Sequence, residues 1–332
     1  MRTPITTLQL PAHAATRLAM AAGQITANPY TETDAFAVQA DAAAQLLDDG
    51  LASVLDRFAK GQIQSALFLR GVPVPQSLPR TPAASFHLLL APQRTRAEAV
   101  LATVGARLGE IFAYREWDGG QLVQNRYPIA AHHGVQTASD ASDLVLHTEA
   151  CFTAYPPDFL ALLGLRCDPA GEARTVVADI PRALALLTPA QRKILRDPLY
   201  VFPTDRGPHT HGGRRTTAPV PVLHDSGQGP VLEYSTLLSA ISSAGVSTLT
   251  ALEEALNRCA LTVELGTGDL LLIDNRRTVH GRTTFHPTYD GSDRWIQRVL
   301  MLRQLPPSGR IVPDTRLAHY PTEYLKALAL PV

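Results

Sequence analysis

The apolar positions of this chain change period part-way along it. From Thr33 onward, Phe36, Ala40, Ala43, Leu47, Leu51, Val54 and Phe58 recur at three- and four-residue steps. That spacing predicts one amphipathic helix, ended by Gly61. Thr95 and Glu98 stand at capping-box spacing and predict a second helix to about Gly109. The first 30 or so residues are rich in Thr and Ala and weakly patterned. Residues 65–70 read as a short strand and 71–82 as a proline-rich loop. Beyond residue 110 the texture becomes short β-type runs between Gly, Pro and Asp turns. Strands are predicted near 121–127, 144–148, 175–180, 199–202, 231–234, 261–265, 270–274 and 294–303. Helices are predicted at 157–163, 181–196 and 236–259. Many short strands, with no regular strand–helix alternation, predict a mainly β fold with flanking helices, a barrel or sandwich. No GxGxxG or GxxxxGK loop follows any strand. A long stretch rich in Gly, Pro, Arg and His, about 203–229, is expected to be a lid.

Composition narrows the function. The chain has 332 residues, 45% hydrophobic and only 18% charged, so a packed core is affordable and a disordered polyampholyte is excluded. Thirty basic residues balance thirty acidic ones. No nucleic-acid or membrane partner is expected from that balance. Three cysteines, Cys151, Cys167 and Cys259, supply neither a disulfide framework nor a Cys-based zinc site. Cys151 and Cys167 are expected to be small core fillers. No signal peptide or membrane span is read, and the expected location is the cytoplasm.

The chemistry concentrates in two places. In the run 144–149 an apolar strand ends in His147, then Thr148, then Glu149. Residues two apart in extended chain point to one side, so an imidazole and a carboxylate can converge. Far downstream, a second apolar strand at 270–274 runs into a turn with His280 at its mouth. Two histidines and one carboxylate form the facial triad of non-heme Fe(II) oxygenases, which leaves positions open for a cosubstrate and O2. A closed structural zinc site would need a fourth ligand. Taken alone, His-x-Glu also fits a surface pair or a hydrogen-bonded core histidine. The rival pair His209 and His211 sits in the expected lid. His132 and His133, and likewise His224 with Asp225, read as exposed turn.

The run from His147 through Glu149, Phe152, Pro156, Asp158 and Phe159 to Arg166 resembles the metal-binding segment of the clavaminate synthase-like Fe(II)/2-oxoglutarate oxygenases. The run Asp274-Asn275-Arg276-Arg277-Thr278-Val279-His280-Gly281-Arg282, followed by Phe285, Arg294, Trp295 and Arg298, resembles the same family's distal-histidine segment. The likeness covers roughly residues 60–305. It implies a double-stranded β-helix (jelly-roll) core at 61–305 after an N-terminal helical or irregular part at 1–60, together one oxygenase domain over 1–332. It implies His147, Glu149 and His280 as the metal ligands that carry catalysis. Arg294, fourteen residues after the distal histidine, with Thr175, would hold 2-oxoglutarate. Arg298 would take the substrate α-carboxylate, and Glu116 and Thr137 would add substrate contacts. Read alone, Glu116 is a turn carboxylate, Thr137 a loop hydroxyl, and the alternating arginines of 294–298 an exposed face. Members acting on basic amino acids carry an acid where this chain has Ser235, with Glu233 nearby. Either Glu233 supplies the acceptor or the substrate side chain is neutral.

The implied activity is oxidation of an unactivated C–H of a free L-amino acid, or a derivative, with Fe(II), 2-oxoglutarate and O2, giving succinate and CO2. Hydroxylation is the expected outcome and specialised-metabolite (antibiotic) biosynthesis the expected setting. The alternatives are desaturation or cyclisation by the same chemistry, a cupin-like metal isomerase or hydrolase, and a non-catalytic jelly-roll binding module.

Overall fold

The computed structural model describes residues 5–89, 94–132, 139–151, 153, 155–203, 216–226 and 229–318. Two sheets form the centre. The larger holds β1 (Ile5–Gln9), β2 (Ala66–Arg70), β3 (Glu110–Tyr114), β4 (Gln124–Arg126), β6 (Phe159–Arg166), β13 (Leu270–Asp274), β15 (Trp295–Leu302) and β16 (Leu317–Ala318). Its order is β1-β2-β13-β6-β15-β3-β16, with β4 also paired to β15. The smaller, in the order β12-β7-β14-β5, holds β5 (Leu144–His147), β7 (Arg174–Asp179), β12 (Ala260–Glu264) and β14 (Thr278–Arg282). Two short pairs, β8 (Tyr200–Val201) with β11 (Ser239–Ala240) and β9 (Leu223–Ser226) with β10 (Gly229–Leu232), lie outside them. This is a jelly-roll core, mainly β with flanking helices.

Period-two alternation builds the layers. Leu67, Leu163, Leu272, Val299 and Met301 face one side of the large sheet and pack under the first four helices, α1 (Ala12–Ala22), α2 (Thr33–Ala44), α3 (Asp49–Ala59) and α4 (Ala97–Leu108). Phe68, Leu160, Leu271, Ile296 and Leu300 face the other side, where Val177 of β7 joins them. Ala178 and Val279, on the outer face of the small sheet, pack with α5 (Ile180–Ala185) and α7 (Ser243–Cys259), beside α6 (Pro189–Ile194). Because Arg294 and Arg298 keep step with Ile296 and Leu300, the same alternation turns both guanidiniums inward between the sheets.

Several expectations need correction. The predicted helix at 157–163 is the strand β6. It lies between β13 and β15 in the middle of the sheet, and apolar layers cover both its faces. Such a run has no alternation to betray it, and each fully buried Leu or Phe contributes about 1.5–3 kcal/mol there. The single helix from Thr33 is two, because the Asp48 side chain accepts from the Gly50 and Leu51 amides and starts α3. Thr188, through a capping box with Gln191, likewise divides 181–196 into α5 and α6. The helix expected from 236 begins at Ser243, capped by Ser242. The weakly patterned start holds β1 and α1. His280 lies within strand β14, not in a turn. Cys167 is exposed and fills no core. Of the expected lid, 204–215 and 227–228, and with them His209 and His211, lie outside the described residues. No described helix is long and apolar enough to cross a membrane.

Candidate active site

Strand pairing brings the distant ligands together. β5 and β14 run antiparallel with His147 and His280 as direct partners, and their rings sit 4.5 Å apart, tilted by 48°. Glu149 follows β5 in a turn that Asn275 clamps. The Glu149 amide donates to Asn275 Oδ1 at 2.8 Å, and Asn275 Nδ2 donates back to the Glu149 carbonyl at 3.1 Å and to the Pro157 carbonyl at 2.9 Å. The next residue, Ala150, has φ 49°, a left-handed conformation that costs a non-glycine residue about 1 kcal/mol. The clamp holds the chain in that turn, so the carboxylate rejoins the side on which His147 points.

The three donor atoms fit one metal ion. Glu149 Oε2 is 3.7 Å from His147 Nε2 and 3.5 Å from His280 Nε2, and the three ligand atoms all lie within 4.8 Å of one another. Adjacent ligands about 2.1 Å from one ion would stand about 3 Å apart, so a small inward shift closes the set. His147 Nδ1 lies 2.8 Å from the Val145 carbonyl, which fixes that nitrogen as the donor and leaves the Nε2 lone pair facing Glu149. Burial, and then His147, push the His280 pKa down to about 4, so its ring is neutral near pH 7. Burial alone would raise the Glu149 carboxyl. Arg298 and the two imidazoles outweigh it and hold the group well below the usual carboxylate range. The site thus offers an anionic carboxylate and, at His280, a neutral imidazole, the protonation states a metal requires of such ligands.

A cavity of about 570 Å³ opens on the triad. Arg294, Arg298 and Thr175 line it and are almost fully buried. The Arg294 guanidinium makes no hydrogen bond to another described residue. Burial, then the neighbouring Arg282, push its pKa down to about 9. A dianionic keto acid would satisfy that lone cation. Thr175 pairs in register with Arg282 across β7 and β14, which puts its hydroxyl on the same wall. Arg298 is held from two sides: Nη1 is 2.8 Å from Glu149 Oε2, and Nε donates to Gln124 Oε1 at 2.8 Å. Gln124 Oε1 also accepts from Arg126 Nη2 at 2.9 Å, and Arg126 forms a two-armed pair with Asp118 at 2.8 and 2.5 Å.

The other expected contacts divide. Glu116 lines the cavity from an exposed position. Thr137 and His133 lie outside the described residues. Ser235 is buried beside His147 in a backbone bridge, its hydroxyl accepting from the Leu237 amide. Glu233 sits 3.9 Å from His224 Nε2. Neither Ser235 nor Glu233 is part of the cavity wall. His132, expected as exposed turn, is half-buried and lines the cavity. His224 is also half-buried, on β9, while its exposed neighbour Asp225 pairs with Arg196. The roles of Asn275, Gln124, Arg126 and Asp118 were not read from the sequence. The signal available was that Gln124 and Arg126 stand two apart on a predicted strand.

A jelly roll with an open His-Glu-His donor set is the arrangement found in non-heme iron oxygenases. Residues 32–300 match the family described as taurine catabolism dioxygenase TauD, TfdA family, and the chain belongs to that family. It is 35% identical over 277 residues to clavaminate synthase 2 of Streptomyces clavuligerus, covering 82% of this chain and 84% of that one. It is 31% identical to the L-lysine 3-hydroxylase of Catenulispora acidiphila, covering 88% and 82%. An asparagine oxygenase solved with Fe(II), 2S,3S-3-hydroxyasparagine and succinate superposes with a TM-score of 0.85 at 29% identity, covering 94% of this chain and 99% of that one.

Proposed function

We propose that this chain is an Fe(II)/2-oxoglutarate-dependent dioxygenase that hydroxylates an unactivated C–H of a free L-amino acid or close derivative, releasing succinate and CO2. The observation that carries this is one cavity lined by the His147–Glu149–His280 donors and two inward guanidiniums, Arg298 on β15 and Arg294 immediately before it. Bound iron supplies the oxidative decarboxylation of 2-oxoglutarate by O2 and the transfer of one oxygen atom to the substrate. His147, Glu149 and His280 hold the ion from one side and leave the cavity side open. Arg294, with Thr175, anchors the far carboxylate of 2-oxoglutarate through its planar fork. Arg298 takes the amino-acid α-carboxylate, and Glu116 the α-ammonium. The substrate carbon is thereby fixed beside the metal site, and the remote charges supply its orientation.

The buried guanidinium of Arg294 beside Thr175 favours this reading over a cupin-like isomerase or a binding module, neither of which needs a dicarboxylate anchor. The relatives include enzymes named for hydroxylating lysine and for oxygenating asparagine, which supports the amino-acid class. Three cysteines without a disulfide, and a ferrous cofactor, suit the reducing cytoplasm. A specialised-metabolite pathway is the proposed setting. The test is amino-acid-stimulated succinate release with product mass. Gain of one oxygen supports hydroxylation. Loss of two hydrogens would replace it with desaturation or cyclisation.

A further inference from the structure

We infer that the substrate's side chain carries no positive charge, because Arg126 takes up Asp118, the carboxylate a cationic side chain would otherwise meet in the cavity wall. The inference rests on the amino-acid reading above and deepens it. Among the described residues, three carboxylates line the cavity, Glu116, Asp118 and Glu149, against four guanidiniums, Arg126, Arg282, Arg294 and Arg298. Glu149 belongs to the metal set and faces Arg298. Glu116 is assigned to the α-ammonium. Asp118 remains, and both its oxygens are occupied by the two terminal nitrogens of Arg126. Those side chains are only 24% and 15% exposed, so the pair is shielded from water and strongly coupled.

Glu233 does not replace the missing acid, since it lies off the cavity wall near His224. The segments outside the described residues add little negative charge by sequence. Residues 133–138 contain no carboxylate, and 204–215 contain Asp205 against Arg206, Arg214 and Arg215. The keto acid's two negative charges offset a ferrous ion's two positive ones, and a zwitterionic amino-acid head adds none. A Lys, ornithine or Arg side chain would therefore enter a cavity whose described lining already carries one positive charge in excess, with no described acid to receive it. An uncharged side chain meets no such penalty.

The test compares near-isosteric pairs on the Fe(II)-loaded enzyme: arginine with citrulline, ornithine with glutamine, and lysine with norleucine. The readout is amino-acid-stimulated succinate release. At least one uncharged member is expected to be turned over, and in each active pair it is preferred by about tenfold or more in kcat/KM. Preference for arginine, ornithine or lysine overturns the inference while leaving the amino-acid reading intact. No stimulation by any amino acid, with slow substrate-free 2-oxoglutarate turnover retained, overturns the amino-acid reading and the inference with it. Arg126→Leu releases the Asp118 carboxylate and is expected to shift selectivity toward the cationic member by about tenfold. Adding Asp118→Asn abolishes that shift. An unchanged ratio in folded Arg126→Leu removes Arg126 from the role. If that variant does not fold, the wild-type pairs decide.

Discussion

Gln124 grips Arg298 by its Nε at 2.8 Å, from a strand paired beside β15, so the guanidinium enters the cavity with its plane already set. Gln124 is 1% exposed, and the same carbonyl oxygen accepts from Arg126. Gln124→Leu removes an acceptor shared by two buried cations, at about 1–3 kcal/mol. The expected result is an amino-acid kcat/KM lowered about tenfold or more, with the KM for 2-oxoglutarate little changed. Steady-state kinetics with each substrate varied in turn check this, and an equal change for both would make Gln124 a general structural residue.

The two inward arginines, Arg298 on β15 and Arg294 just before it, should separate kinetically. Arg294→Ala is expected mainly to raise the 2-oxoglutarate requirement, and Arg298→Ala the amino-acid requirement. Indistinguishable effects would undo the division of labour along that strand face.

The Asn275 side chain bonds both backbone groups of Glu149 and the Pro157 carbonyl, and so holds Glu149 in place. Asn275→Ala is expected to weaken Fe(II) binding by about 10–100-fold while leaving the fold intact. An Fe(II) titration of folded variant against wild type measures it. Wild-type affinity would show that the turn holds its strained Ala150 without help.

For Asp118, burial raises the carboxyl pKa, but Arg126 outweighs it and leaves the group below its ordinary value. A depressed folded-state pKa contributes stability above the unfolded pKa, near 4, and that contribution is lost as pH falls through the lower folded value. Asp118→Asn should therefore cost about 1–3 kcal/mol at pH 7. The gap between variant and wild type should narrow as pH falls below about 4. Denaturant midpoints at pH 7, 5 and 3.5 check the sign, and a gap that widens on acidification contradicts it.

How much of this was legible beforehand follows from which interactions are local. His147 and Glu149 are two residues apart, so extended geometry alone put them on one side. His280 was joined to them only as a second histidine beyond an apolar strand, and the resemblance strengthened the match, because strand pairing across that separation leaves no local trace. β6 was misread because both its faces are apolar, and alternation exists only where one face meets water. Alternation in 294–298 was visible, but its direction was not: the inward turn of Arg294 and Arg298 depends on the cavity they line. The Asn275 clamp spans 126 residues to Glu149 and has no signature beyond a polar residue after an apolar strand. The helix break at Asp48 was readable as a cap, and apolar spacing on both sides of it masked the signal.

Each metal donor should be indispensable. His147→Ala, Glu149→Ala and His280→Ala are each expected to abolish succinate formation, and turnover retained in any two would remove the triad assignment.

The most direct measurement is anaerobic addition of Fe(II) and then 2-oxoglutarate to the purified protein, followed by visible absorption. A weak charge-transfer band is expected in the wild type, absent from His280→Ala and reached only at higher 2-oxoglutarate in Arg294→Ala. Folded, iron-binding wild-type protein that develops no such band would contradict a keto acid chelated at this triad.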